Sequence, residues 1–239
     1  MNGTFDRRTF LQMSTGGAAL FLPAHLAQQP GGKPVNKKPA KGQEAEDVAP
    51  PEDLMREHGV LKRVLLVYRE VIRRVNQRHD VAPETVGDSA GIIRHFIEDY
   101  HEKLEEDYLF PRFKKANKLV DLTDVLLQQH QKGRVLTDRT MQLATAAALK
   151  DPAQRATMRN LLYQFVRMYE PHEAREDTVL FPAFRKIVSR HEYDALGEDF
   201  EKKENQIFHG DGFEKNVDAV AKLEKELGIY DLAQFTPKV

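Results

Sequence analysis

The sequence contains no cysteine. This absence excludes disulfide bonds, thiolate zinc sites, iron–sulfur clusters and cysteine nucleophiles. A metal ion in this protein would have to be bound by His, Asp and Glu side chains. Such ligands suit iron, manganese or zinc better than copper(I).

The chain also lacks an excess of charge of either sign. Its 36 basic and 37 acidic residues leave a net charge of −1 over 239 residues. No overall field would attract nucleic acid or an anionic membrane, so we expect neither as a partner. Long apolar runs are missing as well, because the N-terminal stretch 13–22 is short and interrupted by glycine. We therefore expect no membrane span in the mature protein.

The N-terminus carries an export-like pattern. Residues 6–12 read DRRTFLQ, which resembles the twin-arginine consensus, and the apolar stretch 13–22 and small residues suited to processing follow. The pattern predicts a signal peptide over 1–27, the twin-arginine translocation machinery as a partner, and a periplasmic or extracellular mature protein. Residues 28–51 are rich in Pro, Gly and Lys, which predicts a disordered linker.

The rest of the chain has helical periodicity. Apolar residues recur at three- and four-residue steps, and no strand pattern of useful length is present. The predicted helices cover roughly 51–78, 85–115, 122–148 and 153–188. Four long helices joined by short links are most simply an up-down-up-down bundle. The sequence thus predicts an all-α protein, with a four-helix bundle over 52–190 and a C-terminal extension of one or two helices over 191–239.

One thirteen-residue motif occurs twice, 71 positions apart. Residues 101–113 read HEKLEEDYLFPRF and residues 172–184 read HEAREDTVLFPAF, with seven positions identical. Each copy contains Leu-Phe-Pro within a helical pattern, where proline removes a backbone donor and bends or interrupts the helix. Two interruptions at matching positions predict a pseudo-two-fold arrangement, in which the first two helices resemble the next two.

The doubled motif supplies metal-binding side chains. In each copy a His and a Glu stand four apart, which places them on one face of a helix, a turn apart. A single pair of this kind is most often a solvated surface pair. Here, however, the pair is repeated, and a further His lies early on the helix before each copy. Two half-sites predict two metal ions. The candidate ligands are His58, His101, Glu105, His130, His172 and Glu176.

These donors leave room for a small ligand. Four terminal imidazoles and two carboxylates that each bridge both metals make eight bonds. Two octahedral ions need about twelve, so a bridging oxygen and some exchangeable positions remain. This is chemistry for binding a small molecule at a metal pair.

The doubled motif and its Leu-Phe-Pro resemble the hemerythrin-like family, also called the HHE cation-binding domain, over about residues 52–190. The resemblance implies a four-helix bundle with a non-haem di-iron centre that binds dioxygen or related species. It implies the six ligands above and two iron ions, which an oxo group can bridge, with zinc or manganese less favoured. Two further candidate ligands follow from variation within the family: Glu102, directly after the second-helix His, and Asp177, five residues after the last His.

One departure from the oxygen carriers affects function. Oxygen-carrying hemerythrins place two His four apart on the third helix, but Leu126 and Arg134 lie four residues from His130. One imidazole fewer argues against reversible oxygen storage.

A rival di-iron architecture matches less well. Ferritin-like bundles use Glu-x-x-His on two helices. Glu98 and His101 form one such pair, but Tyr169 stands at the matching place before His172. The remaining histidines are predicted to lie outside the site: His25, His79, His95, His191 and His209.

We therefore predict an exported di-iron protein that binds or senses dioxygen, peroxide or nitric oxide, rather than a dedicated enzyme. One alternative is a redox enzyme at the same centre that removes peroxide or oxidises ferrous iron. A second alternative is a helical scaffold that holds zinc or no metal. No substrate channel or cofactor motif in the sequence distinguishes the ligand-binding protein from the redox enzyme.

Overall fold

The computed structural model describes residues 49–239. The predicted signal at 1–27, and the predicted linker up to residue 48, lie outside the described residues. Over 49–239 every regular element is helical. No helix in that part of the chain combines the length and the hydrophobicity that a bilayer span needs.

Seven helices follow one another along the described chain. They are α1 (Pro50–Asn76), α2 (83–115), α3 (Val120–Leu143), α4 (Ala146–Lys150), α5 (152–184), α6 (Arg190–Phe208) and α7 (Gly212–Leu227), with a 3₁₀ turn at Leu232–Phe235. α1 begins inside the predicted linker, because Pro50 and Pro51 occupy the first turn, where a missing N–H costs nothing. The third predicted helix is wrong at its end. Thr145 accepts a hydrogen bond from the backbone N–H of Ala148 and starts the separate helix α4.

Both motif copies contain a widened, π-helical turn. α2 joins the segments Pro83–Ile92, Ile93–His101 (π), Glu102–Leu104, Glu105–Leu109 (π) and Phe110–Lys115. α5 joins Pro152–Arg175, Glu176–Leu180 (π) and Phe181–Phe184. The matching π turns end at the leucines of Leu-Phe-Pro, two residues before Pro111 and Pro182, whose nitrogens carry no hydrogen for the α-helical hydrogen bond. The predicted interruptions therefore take the form of π turns, which are frequent at functional sites.

The four long helices share one core. α1 packs against α2 and α5, and α3 packs against the same two helices. Aromatic rings fill much of the space between them. The largest fully buried side chains include Tyr68, Phe96, Tyr100, Phe113, Phe165, Tyr169, Phe181 and Phe184. A polar cluster embedded in such a core must find its partners within the protein.

The C-terminal extension contains two helices, both docked on α1. α7 also contacts α2. The Arg63 guanidinium on α1 donates to both oxygens of Glu224 on α7, at 2.6 and 3.0 Å. Arg74 donates to the carbonyl of Leu227 at 2.7 Å, which satisfies an acceptor at the end of α7. These contacts fix the extension against the helices that carry half of the candidate ligands.

Candidate metal centre

The structure brings the six main candidate ligands together in the core. Each of the four long helices supplies one imidazole, and α2 and α5 each add one carboxylate. All six side chains are at most 4% exposed: His58, His101, Glu105, His130, His172 and Glu176. A single His and Glu four residues apart most often form a solvent-exposed ion pair, whereas these side chains are buried.

The imidazoles form two pairs. Nε2 of His58 lies 3.1 Å from Nε2 of His101, and Nε2 of His130 lies 3.3 Å from Nε2 of His172. We call the space beside the first pair the first position and the space beside the second pair the second position. Each pair joins two helices that are consecutive among the four long ones, as the repeat predicts.

The two carboxylates lie between the positions. Glu105 has one oxygen 3.8 Å from Nε2 of His101 and the other 3.4 Å from Nε2 of His130. Oε2 of Glu176 lies 3.4 Å from Nε2 of the α1 histidine and 3.1 Å from that of the α5 histidine. Each carboxylate therefore reaches both positions.

The outer nitrogen of every imidazole has an oxygen partner. The Nδ1 distances are 2.7 Å from His58 to Asp177, 2.8 Å from His101 to Glu57, 3.1 Å from His130 to Glu106 and 2.8 Å from His172 to Gln129. A carboxylate or amide oxygen can only accept, so the proton resides on Nδ1 and the Nε2 lone pair faces the centre. This is the tautomer that a metal-binding imidazole needs.

The unpaired atoms fit a metal ion. Two Nε2 lone pairs cannot face each other at 3.1 or 3.3 Å unless a cation, a metal ion or a proton, lies beside them. Apart from these imidazoles, none of the four oxygens of Glu105 and Glu176 has a hydrogen-bond partner within residues 49–239. Burying two carboxylates with so few partners costs several kcal/mol per ion, on the order of a whole domain's stability. Their ligand atoms converge within 4.8 Å of histidine nitrogens, so the cluster could hold metal ions.

Protons compete with metal for this centre. Burial, followed by the charge of Glu176 and other acids, raises the pKa of Glu105 well above its usual range. Burial would lower the pKa of His58, but hydrogen bonds to Asp177 and Glu176 outweigh it and raise that pKa to about 9. A bound metal ion must displace these protons, so acid opposes loading.

The two further candidate ligands lie at the edge of the centre. Asp177 accepts from the outer nitrogen of His58 and pairs with Lys62 at 3.1 Å, so it stands behind an imidazole rather than beside Glu176. Glu102 accepts from the Tyr169 hydroxyl at 2.5 Å. It also pairs with Arg134 at 2.7 Å, one of the two residues that lie four positions from His130. Arginine thus binds the acid that a metal could have bound.

Three partners of the imidazoles were missed by the sequence reasoning. Glu57 and Gln129 directly precede the first His of each half, and Glu106 directly follows a motif Glu, as Asp177 does. Comparing the flanks of the two repeats would have singled them out. Of the other histidines, the four within 49–239 are exposed and outside the cluster: His79, His95, His191 and His209. His25 lies outside the described residues.

Glu98, half of the rival ferritin-like pair, does not belong to the cluster within the described residues. Arg94 pairs with it at 2.9 Å, and the Thr137 hydroxyl donates to it at 2.6 Å. Burial nevertheless raises the pKa of this carboxyl to about 7. The structure therefore gives no support to the ferritin-like alternative.

Glu98→Gln is expected to flatten the pH dependence of stability. The folded-state pKa of about 7 lies above the ordinary 4.5, so the contribution of Glu98 is fullest below pH 4.5 and is lost as pH rises through 7. Between pH 5 and pH 8 the variant should lose about 2 kcal/mol less unfolding free energy than the parent. Urea unfolding of the metal-free proteins at both pH values measures this. Identical losses would contradict the assignment.

Comparison with known proteins agrees with this geometry. The family described as hemerythrin HHE cation-binding domain matches residues 49–154 and, a second time, residues 121–228. Proteins named as uncharacterized from Mycobacterium tuberculosis (strains H37Rv and CDC 1551) and Mycobacterium bovis are 49% identical over 232 residues, covering 97% of this chain and 91% of theirs. No solved structure matches. The chain belongs to the hemerythrin HHE cation-binding domain family.

Proposed function

We propose that this protein binds two iron ions and uses the pair to bind or sense a small ligand such as dioxygen, peroxide or nitric oxide. One observation carries the proposal: buried imidazoles converge in two groups with carboxylates that contact little else. The proposed ligands are His58, His101, Glu105, His130, His172 and Glu176. Iron at these residues would supply redox chemistry and open coordination positions.

The donor set favours iron over zinc. Four imidazoles and two carboxylates, with no thiolate, suit iron, manganese or zinc by ligand type. Sites built from imidazoles and carboxylate with open coordination positions are typical of non-haem iron. The cation-binding family and the incomplete set of donors together support iron with room for a ligand.

The Leu-Phe-Pro phenylalanines shape the centre. Phe181 stacks on His58, and Phe110 stacks on His130, each with ring centroids 5.5 Å apart. Each motif thus covers an imidazole of the other half of the chain. These rings hold the imidazoles in place and exclude water, which controls access to the metals.

The arrangement of the helices and the export route belong to the same proposal. We propose an up-down-up-down bundle over 52–190 followed by the extension 191–239, which the pairwise packing of α1 and α3 against α2 and α5 supports. The DRRTFLQ pattern at 6–12 supports export by the twin-arginine machinery to the periplasm or beyond. Residues 1–27 would then be removed, and the residues from 28 to the start of α1 at Pro50 would act as a tether.

Redox turnover is the second candidate function, and one observation favours it. The buried Tyr169 hydroxyl donates to Glu102 at 2.5 Å, and its ring centroid is 5.2 Å from that of His172. A phenol with a proton acceptor beside the centre is an oxidisable group. Peroxide removal or oxidation of ferrous iron would be the reaction.

Metal analysis of the exported protein tests the proposal. We expect two irons per chain after growth with ample iron, and a near-ultraviolet absorption that changes stoichiometrically on adding azide or peroxide. Steady consumption of peroxide or oxygen would instead favour the enzyme. Zinc, or no metal, would contradict the iron proposal and leave a helical scaffold.

A further inference from the structure

The two metal positions have the same types of inner donor but different surroundings. Each position has two imidazoles and one oxygen of Glu105, and Oε2 of Glu176 lies 3.4 Å from Nε2 of His58 and 3.1 Å from Nε2 of His172. Glu176 converges with the other three donors at the second position, whereas at the first His58, His101 and Glu105 converge within 4.8 Å. The charge around the two positions differs through the groups behind the imidazoles. Those groups are the four partners of the outer Nδ1 atoms.

At the first position both partners are carboxylates. Asp177 lies 2.7 Å from Nδ1 of His58, and Glu57 lies 2.8 Å from Nδ1 of His101. Glu57 is fully buried. Each carboxylate makes its imidazole a better donor and adds negative charge close to a bound cation.

At the second position one partner is neutral. Gln129 offers an amide oxygen 2.8 Å from Nδ1 of His172, in the place that Glu57 takes in the other half. The other partner, Glu106, lies 3.1 Å from Nδ1 of His130. Repeat-equivalent residues therefore differ by one full charge.

Nearby cations increase the difference. Glu106 is paired with Arg134 at 2.8 Å and with Lys103 at 2.5 Å. The equivalent of Arg134 is Lys62, which pairs with Asp177 at 3.1 Å but is 51% exposed, against 21% for Arg134. Solvent screens the exposed lysine more strongly, so the second position has less net negative charge around it.

The remaining acids do not reverse this ranking. Glu102 and Glu173, both buried, are repeat-equivalent; Glu102 lies near His130 and Glu173 interacts with His58. Glu102 is paired with Arg134. Two carboxylates, of which Asp177 is paired with the exposed Lys62, thus lie behind the imidazoles of the first position, against one carboxylate with two cations at the second.

We propose that the two positions are unequal, and that Gln129 is the main cause. The position between His58 and His101 retains its ion, and the position between His130 and His172 exchanges its ion readily. This inference rests on the proposed function in that it requires two bound metals. Mutation of an outer partner typically costs about 10–100-fold in metal affinity, and for an amide in place of a carboxylate we expect a separation near the lower end, about tenfold.

Competition with a chelator tests the inequality. The full chain is freed of metal, loaded with two equivalents of Zn²⁺, which has no redox chemistry, and titrated with a chromogenic chelator. We expect two steps of one zinc per chain, about tenfold apart. Gln129→Glu should shift the weaker step toward the tighter one by about tenfold. The matched variant Glu57→Gln should weaken the tighter step and bring the two together.

Two single-position variants assign the steps. His172→Ala should keep the tight step, and His101→Ala should keep the weak one. A single step in the parent protein, unchanged steps in Gln129→Glu, or the reverse assignment would overturn the inference while two metals still bind. Fewer than two zinc ions in the parent protein would overturn the two-metal proposal itself. Circular dichroism checks that each variant is folded.

Discussion

Replacing Glu105 with alanine is expected to remove both metal ions, although only one side chain changes. Its two oxygens face different positions, 3.8 Å from Nε2 of His101 and 3.4 Å from Nε2 of His130. Each position would lose one of its few donors, and with it the negative charge that opposes repulsion between two cations. Elemental analysis should fall from two metals per chain to nearly none.

The Glu105→Ala change should also lower the melting temperature, because the bound metal ions that stabilise the native state are lost. A ligand present at a thousand times its dissociation constant stabilises the native state by about 4 kcal/mol. For a domain of this size that corresponds to roughly 10 °C in melting temperature. Added metal should raise the melting temperature of the parent protein and leave that of the Glu105→Ala variant almost unchanged.

Two controls separate this effect from general damage. Glu98→Gln alters another buried carboxyl of α2 that lies outside the cluster, so metal content should stay at the parent level. His191→Ala, at the exposed start of α6, should behave likewise. Two metals retained by Glu105→Ala, or a large loss in His191→Ala, would show that the centre is assigned to the wrong residues.

Gly133→Ala is expected to destabilise the fold even though alanine is the better helix former. A Cβ at Gly133 would lie 2.1 Å from the Tyr169 hydroxyl oxygen and 2.9 Å from the adjoining ring carbon. The tyrosine cannot retreat, because its ring is buried and its hydroxyl donates to Glu102. Overpacking of this kind costs about 1–3 kcal/mol, which exceeds the gain of about 1 kcal/mol in helix propensity.

Another helical glycine provides the matched control. Gly59 on α1 has nothing within 4 Å of a Cβ, so Gly59→Ala should gain up to about 1 kcal/mol. Urea unfolding of both variants should give opposite signs. Adding Tyr169→Leu to Gly133→Ala should recover part of the loss, as a double-mutant cycle would measure. Equal stability of the two alanine variants would refute the close contact.

The repeat made the centre predictable because its residues obey helical spacing. His and Glu four apart must share a face, and a copy of the same pair on another helix left few ways to bury both. The four long helices followed from the same periodicity. The grouping of these side chains is observed, whereas metal binding by each of them, the two irons, the small ligand and export stay predictions.

The form of the helix interruptions could not be predicted from proline alone. Pro111 marks where a backbone N–H is missing, but a helix can accommodate that loss by a kink, by a break or by a π turn. In α2 the observed response is the π turn at Glu105–Leu109. The end of α3 before Thr145 was not predicted either. The side chain of Thr145 caps the new helix α4, although the residues on both sides favour one continuous helix.

The outer partners depend on how the helices are rotated. Glu57 sits beside His58 in the sequence yet serves the imidazole of His101 on the next helix. Gln129 on α3 likewise accepts from the imidazole of His172 on α5. Helix rotation is a property of the packed core, so local sequence could nominate these residues but could not pair them.

The pairing of Glu57 with one imidazole and Gln129 with its counterpart bears on how such a centre is encoded. Two identical hairpins joined as a symmetric dimer would carry the same residue at both places. A continuous chain lets the copies diverge independently while each keeps its own imidazoles. Because both halves lie in one polypeptide, the surroundings of two bound ions can differ. Two identical subunits in a symmetric dimer would have to give both ions the same surroundings.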